Sequence, residues 1–369
     1  MEFTIHHQVL TTIFVVAIVM GAVVSKTDFC TMGAVSDWVN MGDTGRLRAW
    51  LLAMAVAIIG VAAMSGTGIA SIGNSTFPPY RTTNFAWLRY LLGGLMFGIG
   101  MTLASGCGNK TLVRIGGGNL KSIVVLIIAS ACAYLMLWTE FYGQVFNSWI
   151  VATTIDLGKS GFQSQAVSEF FGAGVVPQVA TGAALGLLLA GFAFASKDLR
   201  GSFDNLLAGL VIGLAVVIGW YVTGGSMGAS WKEWAELAET VPSRVEVQSF
   251  TFISPMGDTA RYLMSPGNFA NINFGVTALA GVIVGSFLHA LLSGKFRIEW
   301  FASGGDFLNH AIGAVLMGIG GVLSMGCTIG QAITGVSTLA MGSILTFVAI
   351  VAGAAATMKF QYWRMMQEA

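Results

Sequence analysis

Charged residues are scarce in this chain, and their scarcity excludes a water-soluble protein. Asp, Glu, Lys and Arg make up 9% of the 369 residues, and hydrophobic residues make up 55%. A soluble globular domain carries about 25% charged residues, and a surface with far fewer leaves large apolar patches in water. Intrinsic disorder is excluded too, because it requires low hydrophobicity and high net charge. The composition indicates a protein of the lipid bilayer.

Cysteine is rare as well. The chain has four cysteines and lacks a CxxC pair or a metal-ligand spacing, so we expect no disulfide framework, no bound metal and no cofactor. The net charge of +1 gives no indication of a nucleic-acid partner. The first residues, MEFTIHHQ, lack the basic segment of a signal peptide, so the first apolar run is expected to remain as a membrane helix.

Nearly charge-free runs long enough to span a bilayer, about 20 residues each, predict an all-α polytopic membrane protein. The nine runs are 8–25, 49–72, 86–105, 122–139, 171–195, 204–224, 270–294, 307–326 and 336–358. The last two lie in one uncharged stretch, which we expect to break within 326–338. Segments 140–170 and 225–269 are long enough for short interfacial helices, and WKEWAE (231–236) has the aromatic and charged residues of one.

The distribution of Lys and Arg between the loops predicts the orientation. Membrane proteins keep the more basic loops in the cytoplasm. Twelve basic residues fall on one side: Lys26, Arg46, Arg48, Lys110, Arg114, Lys121, Lys197, Arg200, Lys295, Arg297, Lys359 and Arg364. Six fall on the other: Arg81, Arg89, Lys159, Lys232, Arg244 and Arg261. The N-terminus is therefore predicted outside and the C-terminus in the cytoplasm.

An internal repeat is the most informative pattern. Residues 98–107 read GIGMTLASGC, and residues 318–327 read GIGGVLSMGC. The first copy ends the third span and the second ends the eighth. Spans five apart cross the membrane in opposite directions, as in the inverted repeats of many secondary transporters. We therefore expect two inverted halves, 1–139 and 204–369, joined by a linker with the fifth span, 140–203, around a constriction at the midplane.

The upstream parts of the two halves match more weakly. Cys30-Thr31-Met32-Gly33 follows the first span, and Val222-Thr223-Gly224-Gly225 follows the sixth. The second copy lacks the cysteine, so the expected site is pseudosymmetric.

Cys30, Cys107 and Cys327 each lie at the end of a span, beside glycine and threonine, where a helix is expected to break. Irregular backbone at this depth is tolerated only when it is buried in protein or lines a cavity. The helix that follows a break presents free N–H groups, which bind anions. A neutral thiol is a weak donor and polarizable, so this arrangement suits a soft, sulfur-bearing anion. Cys132, inside the fourth span, is expected to be a small buried hydrophobe.

Three segments resemble motifs of the YeeE/YedE family of bacterial sulfur-compound transporters. They are GMTLASGCGNKTLVRIGGGNLKS (100–122), GIGGVLSMGCTIGQAITG (318–335) and DFCTMG (28–33). The resemblance implies a thiosulfate importer of the bacterial inner membrane, with two inverted halves and some helices that do not span fully. It also implies that three cysteines line the path and hand thiosulfate on through S–H···S hydrogen bonds. A small cytosolic sulfur-carrier or rhodanese-like partner is implied as well.

The residues expected along the path combine these arguments. They are Cys30, Cys107, Cys327, Gly106, Gly326, Lys110, Arg114, Thr328 and Gln331. The two basic residues would attract the anion at one mouth. Gln331 departs from the basic or imidazole residue that we would expect at that position.

Other functions remain open at this stage. The family resemblance also allows another sulfur or selenium species as substrate. Met32, Met101 and Met325 lie near the three cysteines, and thiolate with thioether suits a copper transporter. A thiol enzyme of the membrane would require a paired or strongly acidic cysteine, and a CxxC pair is absent. We therefore expect a transporter and not an enzyme.

Overall fold

The computed structural model describes residues 4–238 and 240–368, and helices make up most of it. Nine helical stretches in this part of the chain are long and apolar enough to cross a membrane. They are Ile5–Met41, Gly45–Thr67, Trp87–Gly116, Leu120–Trp138, Val175–Phe194, Phe203–Gly224, Phe274–Leu292, Gly304–Leu323 and Met341–Gln367. The predicted class, an all-α polytopic membrane protein with nine spans, is confirmed.

The individual elements are shorter than these stretches, because several helices are interrupted. The helices are α1 Ile5–Thr27, α2 Thr31–Ser36, α3 Gly45–Thr67, α4 Trp87–Leu103, α5 Gly108–Gly116, α6 Leu120–Trp138, α7 Phe141–Val145, α8 Asn147–Thr153, α9 Val175–Phe194, α10 Lys197–Arg200, α11 Phe203–Gly224, α12 Ser226–Leu237, α13 Ile253–Met264, α14 Phe274–Leu292, α15 Gly304–Leu323 and α16 Met341–Glu368. Two π-helical segments, Asp37–Met41 and Ile329–Gly335, and three 3₁₀ segments, Leu157–Ser160, Val167–Phe171 and Phe269–Asn271, complete the helical part.

Two pairs of very short strands tie loops together. The strands are β1 Thr76–Phe77, β2 Asn84–Phe85, β3 Ile155–Asp156 and β4 Val247–Gln248. β1 pairs with β4 in parallel, and β2 pairs with β3 antiparallel.

The helices break at the three cysteines, as the sequence predicts. Cys30 precedes α2 and Cys107 precedes α5, each as the N-cap residue. Cys327 lies between the end of α15 and the π-helical segment Ile329–Gly335. The expected break within 326–338 is therefore confirmed.

The turns before Cys107 and Cys327 have the same backbone geometry. Ser105 and Met325, each two residues before its cysteine, adopt left-handed φ angles of 57° and 64°. In both turns the amide of the next glycine donates a 2.8 Å hydrogen bond to the carbonyl five residues earlier. Left-handed backbone costs roughly 1–2 kcal/mol in a non-glycine residue. The matched sequences thus form matched C-terminal turns of α4 and α15.

Four glycines bring α4 and α15 into backbone contact. A methyl group on Gly93 would lie 2.9 Å from the Gly320 carbonyl oxygen, and one on Gly320 would lie 2.8 Å from that of Gly93. Gly100 and Gly313 pair in the same reciprocal way, at 2.7 and 2.6 Å. Small residues permit this approach, which gives helices in lipid their packing contacts.

Other long helices pack in pairs around this contact. α1 packs on α14, α3 on α11, α4 on α16 and α6 on α15, while α9 lies at the edge against α3. α12 includes residues 231–236, the segment predicted as an interfacial helix. It also packs inward, since its buried Trp231 donates a 3.0 Å hydrogen bond to Nδ1 of His6.

We predict that Gly313→Ala destabilises the protein by about 1–3 kcal/mol, because the added methyl forces backbone apart in a packed contact. The matched control is Gly191→Ala in α9, where a methyl group meets no atom of the described residues within 4 Å. The fraction that stays monodisperse on size exclusion after heating in detergent measures the effect. Equal losses for both variants would contradict the role of the glycine contact.

Candidate functional site

The three predicted cysteines come together in the interior. Cys30, Cys107 and Cys327 are free thiols with 3%, 1% and 0% of their surface exposed. The thiols of Cys30 and Cys107 are direct neighbours. A methyl group on Gly108, directly after Cys107, would lie 3.9 Å from Cβ of Cys327. The thiols therefore form a short series in the order Cys30, Cys107, Cys327.

Backbone N–H groups face the three sulfur atoms. Gly330 N–H donates to Sγ of Cys327 at 3.5 Å. The amides of Gly33 and Lys110 face the thiols of Cys30 and Cys107 in the same relation, three residues along the chain. These amides belong to the first turns of helices, where N–H groups lack intrahelical partners and favour anions.

A basic cavity of about 620 Å³ opens beside Cys30. Its charged lining comprises Arg46, Lys110, Arg114, Lys121, Lys295 and Arg297 with Asp28, Glu299 and Asp306. Lys110 pairs with Asp28 and Lys121 with Asp306, each at 2.8 Å. The cations outnumber the acids, so the cavity attracts anions.

A second cavity, of about 490 Å³, lies near the turn that precedes Cys327. Its lining includes Arg89, Tyr142, Asp156 and Met325. The Arg89 guanidinium donates hydrogen bonds to the carbonyl oxygens of Val322 and Leu323 at the end of α15. The series of thiols thus extends from the residues that line one cavity toward those that line the other.

Polar groups with no hydrogen-bond partner concentrate around the cysteines. Leaving a buried polar group unpaired costs about 1–3 kcal/mol, so such a cluster requires an explanation. Within residues 4–238 and 240–368, the unpaired atoms of this cluster are Thr31 Oγ1, Asn109 Oδ1, Thr328 Oγ1, Gln331 Oε1, Thr251 Oγ1 and Tyr80 OH. They are all uncharged donors and acceptors.

The other predicted residues fall into two groups. Lys110 and Arg114 line the basic cavity near Cys30. Thr328 lies beside Cys107, and the amide nitrogen of the fully buried Gln331 donates a hydrogen bond to the Ser324 carbonyl. Gln331 therefore braces the turn before Cys327, and a basic residue is not required there.

Gly106 and Gly326 occupy equivalent positions directly before their cysteines. A methyl group on Gly106 would lie 3.3 Å from the Lys110 side chain, and one on Gly326 would lie 3.3 Å from that of Gln331. Each glycine thus lets the side chain four or five residues along fold back over the turn.

Cys132 packs outside this series. It is half-buried in α6, and Gly318 of α15 lies against its Cβ. Met32 lines the basic cavity and Met325 the second one. The described residues contain no group of three or more His, Cys, Asp or Glu side chains arranged to hold a metal ion.

Sequence reasoning missed Thr251 and Tyr80. The weak match placed Val222–Gly225 opposite Cys30. Thr223, however, lies inside α11 and donates a 2.7 Å hydrogen bond to the Gln248 carbonyl. Thr251, one residue before the N-cap of α13, is the side chain beside Cys327. No glycine–cysteine motif marks Thr251 in the sequence.

Comparison with known proteins places the chain in a family. A sequence model of the family described as sulphur transport matches residues 26–356. The chain belongs to the sulphur transport family. It is 24% identical over 337 residues to the thiosulfate transporter TsuA of Escherichia coli K12, covering 85% of this chain and 83% of the relative. It is 23% identical over 350 residues to the thiosulfate transporter TsuA of Spirochaeta thermophila, covering 92% and 94%.

The location of the three thiols predicts how fast each cysteine of this sulphur transport family member reacts with a thiol reagent. Cys30 lines the basic cavity, whereas Cys107 and Cys327 lie behind it. Because thiol reactivity requires access, we expect an anionic thiol reagent in detergent to modify Cys30 roughly tenfold faster than Cys327. Brief labelling of the intact protein followed by peptide mass spectrometry measures the order. Equal rates at Cys30 and Cys327 would contradict it.

Proposed function

We propose that this chain imports thiosulfate across a bacterial inner membrane. The observation that carries the proposal is the buried series Cys30, Cys107, Cys327 between two cavities. The family membership and the names of both relatives support it. A transport family also supports the expectation that the chain is not an enzyme.

The chemistry of the series suits thiosulfate. Neutral thiols and backbone N–H groups offer hydrogen bonds without fixing the anion by a salt bridge. Contacts that are individually weak and repeated along a path let an ion enter and leave. The terminal sulfur of thiosulfate is a soft acceptor that matches a polarizable thiol. No bond is made or broken, and the anion exchanges one set of hydrogen bonds for the next.

The transporter in this proposal has two inverted halves, 1–139 and 204–369, joined by 140–203. The reciprocal glycine pairs between α4 and α15 and the matched turns before Cys107 and Cys327 support it. The helix pairs also correspond. The first span, α1, packs on α14, and its counterpart α11 packs on α3, the counterpart of α14. In this scheme α13 is the counterpart of α2. α13 packs on α6, α14 and α15, and α2 packs on their counterparts α16, α3 and α4.

The basic cavity is the cytoplasmic exit in this scheme. All six of its cations belong to the side that the loop charges predict to be cytoplasmic. Arg89, at the second cavity, belongs to the other side, so that cavity is the outer entrance. A cytosolic sulfur-carrier or rhodanese-like protein would take thiosulfate from the exit.

We predict that Cys107→Ala and Cys327→Ala each abolish uptake, because each removes a donor from the series. Cys30→Ala should give a strong, partial defect, since Cys30 borders the open cavity. Cys132→Ala is the matched control and should transport normally. Labelled thiosulfate in proteoliposomes measures uptake, with sulfate, selenium oxyanions and copper as competitors. Normal uptake by the Cys107 variant would refute the series, and competition by copper alone would favour a metal transporter.

We also predict the orientation of the termini. A fluorescent protein fused after residue 369 should fold and fluoresce, because the C-terminus lies in the cytoplasm. Alkaline phosphatase at the same position should be inactive. The opposite pattern would reverse the entrance and the exit.

A further inference from the structure

Two hydroxyl groups and a thiol converge on Gly330. A methyl group built on this glycine would clash with Oγ1 of Thr251 and lie 3.4 Å from the phenolic oxygen of Tyr80. The Gly330 amide donates to Sγ of Cys327. The three side chains therefore pack directly against Gly330, and a side-chain carbon there would clash with Thr251.

Both hydroxyls are buried and unpaired. Thr251 is 5% exposed and Tyr80 1% exposed. The Thr251 hydroxyl lies close to the Tyr80 hydroxyl and to the Cys327 thiol, but neither oxygen makes a hydrogen bond of good geometry in the described part of the chain. Each unpaired group costs about 1–3 kcal/mol. Two such groups next to one another, beside a thiol, point to a ligand that completes their hydrogen bonds.

A strand pair holds the two hydroxyls side by side. β1 pairs with β4 in parallel, with Phe77 opposite Gln248. Tyr80 and Thr251 each follow three residues after this pair, so the same register places them next to each other. Tyr80 also packs its ring 3.0 Å from the methyl position of Gly335. The strand pair thus fixes the two hydroxyl donors next to Cys327.

The two halves of the protein differ at this point. Cys30 accompanies Cys107 in the first half, whereas Thr251 accompanies Cys327 in the second. A hydroxyl is a stronger hydrogen-bond donor to oxygen than a thiol, which is a weak donor. The site near Cys327 therefore offers donors for oxygen, and the site near Cys30 offers donors for sulfur.

We propose that Thr251 and Tyr80 form an outer binding site that donates hydrogen bonds to the oxygen atoms of the sulfur oxyanion while its terminal sulfur meets Cys327. The inference rests on the proposed function and specifies how the anion is oriented. Anions that lack either the oxygen atoms or the terminal sulfur fill only part of this site.

Thiosulfate uptake by proteoliposomes tests the site through a split between KM and the maximal rate. Loss of one hydrogen bond to an anion is expected to raise KM for thiosulfate roughly 10- to 100-fold in Thr251→Val and in Tyr80→Phe. Thr251→Ser keeps the hydroxyl and should restore the wild-type KM. Gly330→Ala displaces the Thr251 side chain without removing a donor and should also raise KM.

Thr346→Val is the matched control, because Thr346 is another fully buried threonine with an unpaired hydroxyl, on α16. It should leave KM unchanged. Size exclusion of every variant excludes misfolding as the cause, and Tyr80→Phe carries the test if Thr251→Val fails to fold. If the wild type takes up thiosulfate and the KM values of Thr251→Val and Tyr80→Phe both lie within about twofold of the wild-type KM, the inference is overturned. Absence of uptake by the wild type would instead overturn the proposed function.

Discussion

The backbone contact between α4 and α15 is the constraint on which the site depends. Gly93 meets Gly320 and Gly100 meets Gly313, so the two helices approach as closely as their backbones allow. Both helices then end in the same left-handed turn, which delivers a cysteine to the start of the next helix. Side chains at the four glycine positions would separate the helices and with them the two turns. The glycine content of the sequence is thus the physical cause of the closely spaced thiols.

Charge and burial are divided between the ends and the middle of this arrangement. Cations line the basic cavity, and Arg89 lies at the other one. Between them the unpaired groups are hydroxyls and amides. A guanidinium in the constriction would hold an anion too tightly to release it, since a charge-assisted pair is about twice as strong as a neutral one. In the proposed path, long-range attraction at the two cavities and weak donors between them would give both capture and release.

The sequence predicts the spans, the breaks and the cysteines, because each depends on residues close together in the chain. Apolar runs of helix length and the glycine–cysteine motif are local patterns. The position of Thr251 beside Cys327 is different in kind, since it depends on two-residue strands from distant loops. A strand of two residues is too short to show an alternating pattern of apolar and polar residues in the sequence. The match of Cys30 with Val222–Gly225 does not lead to Thr251 for the same reason: α12 and a long loop separate α11 from the segment that reaches the cysteine.

The unequal halves give the series a direction. A path with the same pair of donors at both ends would hold an oxyanion in either orientation. Here the hydroxyls of Thr251 and Tyr80 lie at Cys327, and a second thiol lies at Cys107. In the proposed site the oxygen atoms of the anion favour the hydroxyl pair, so its terminal sulfur would point along the series toward Cys107 and Cys30. The anion would then meet successive thiols with its terminal sulfur and would reach the basic cavity once the hydroxyl contacts are released.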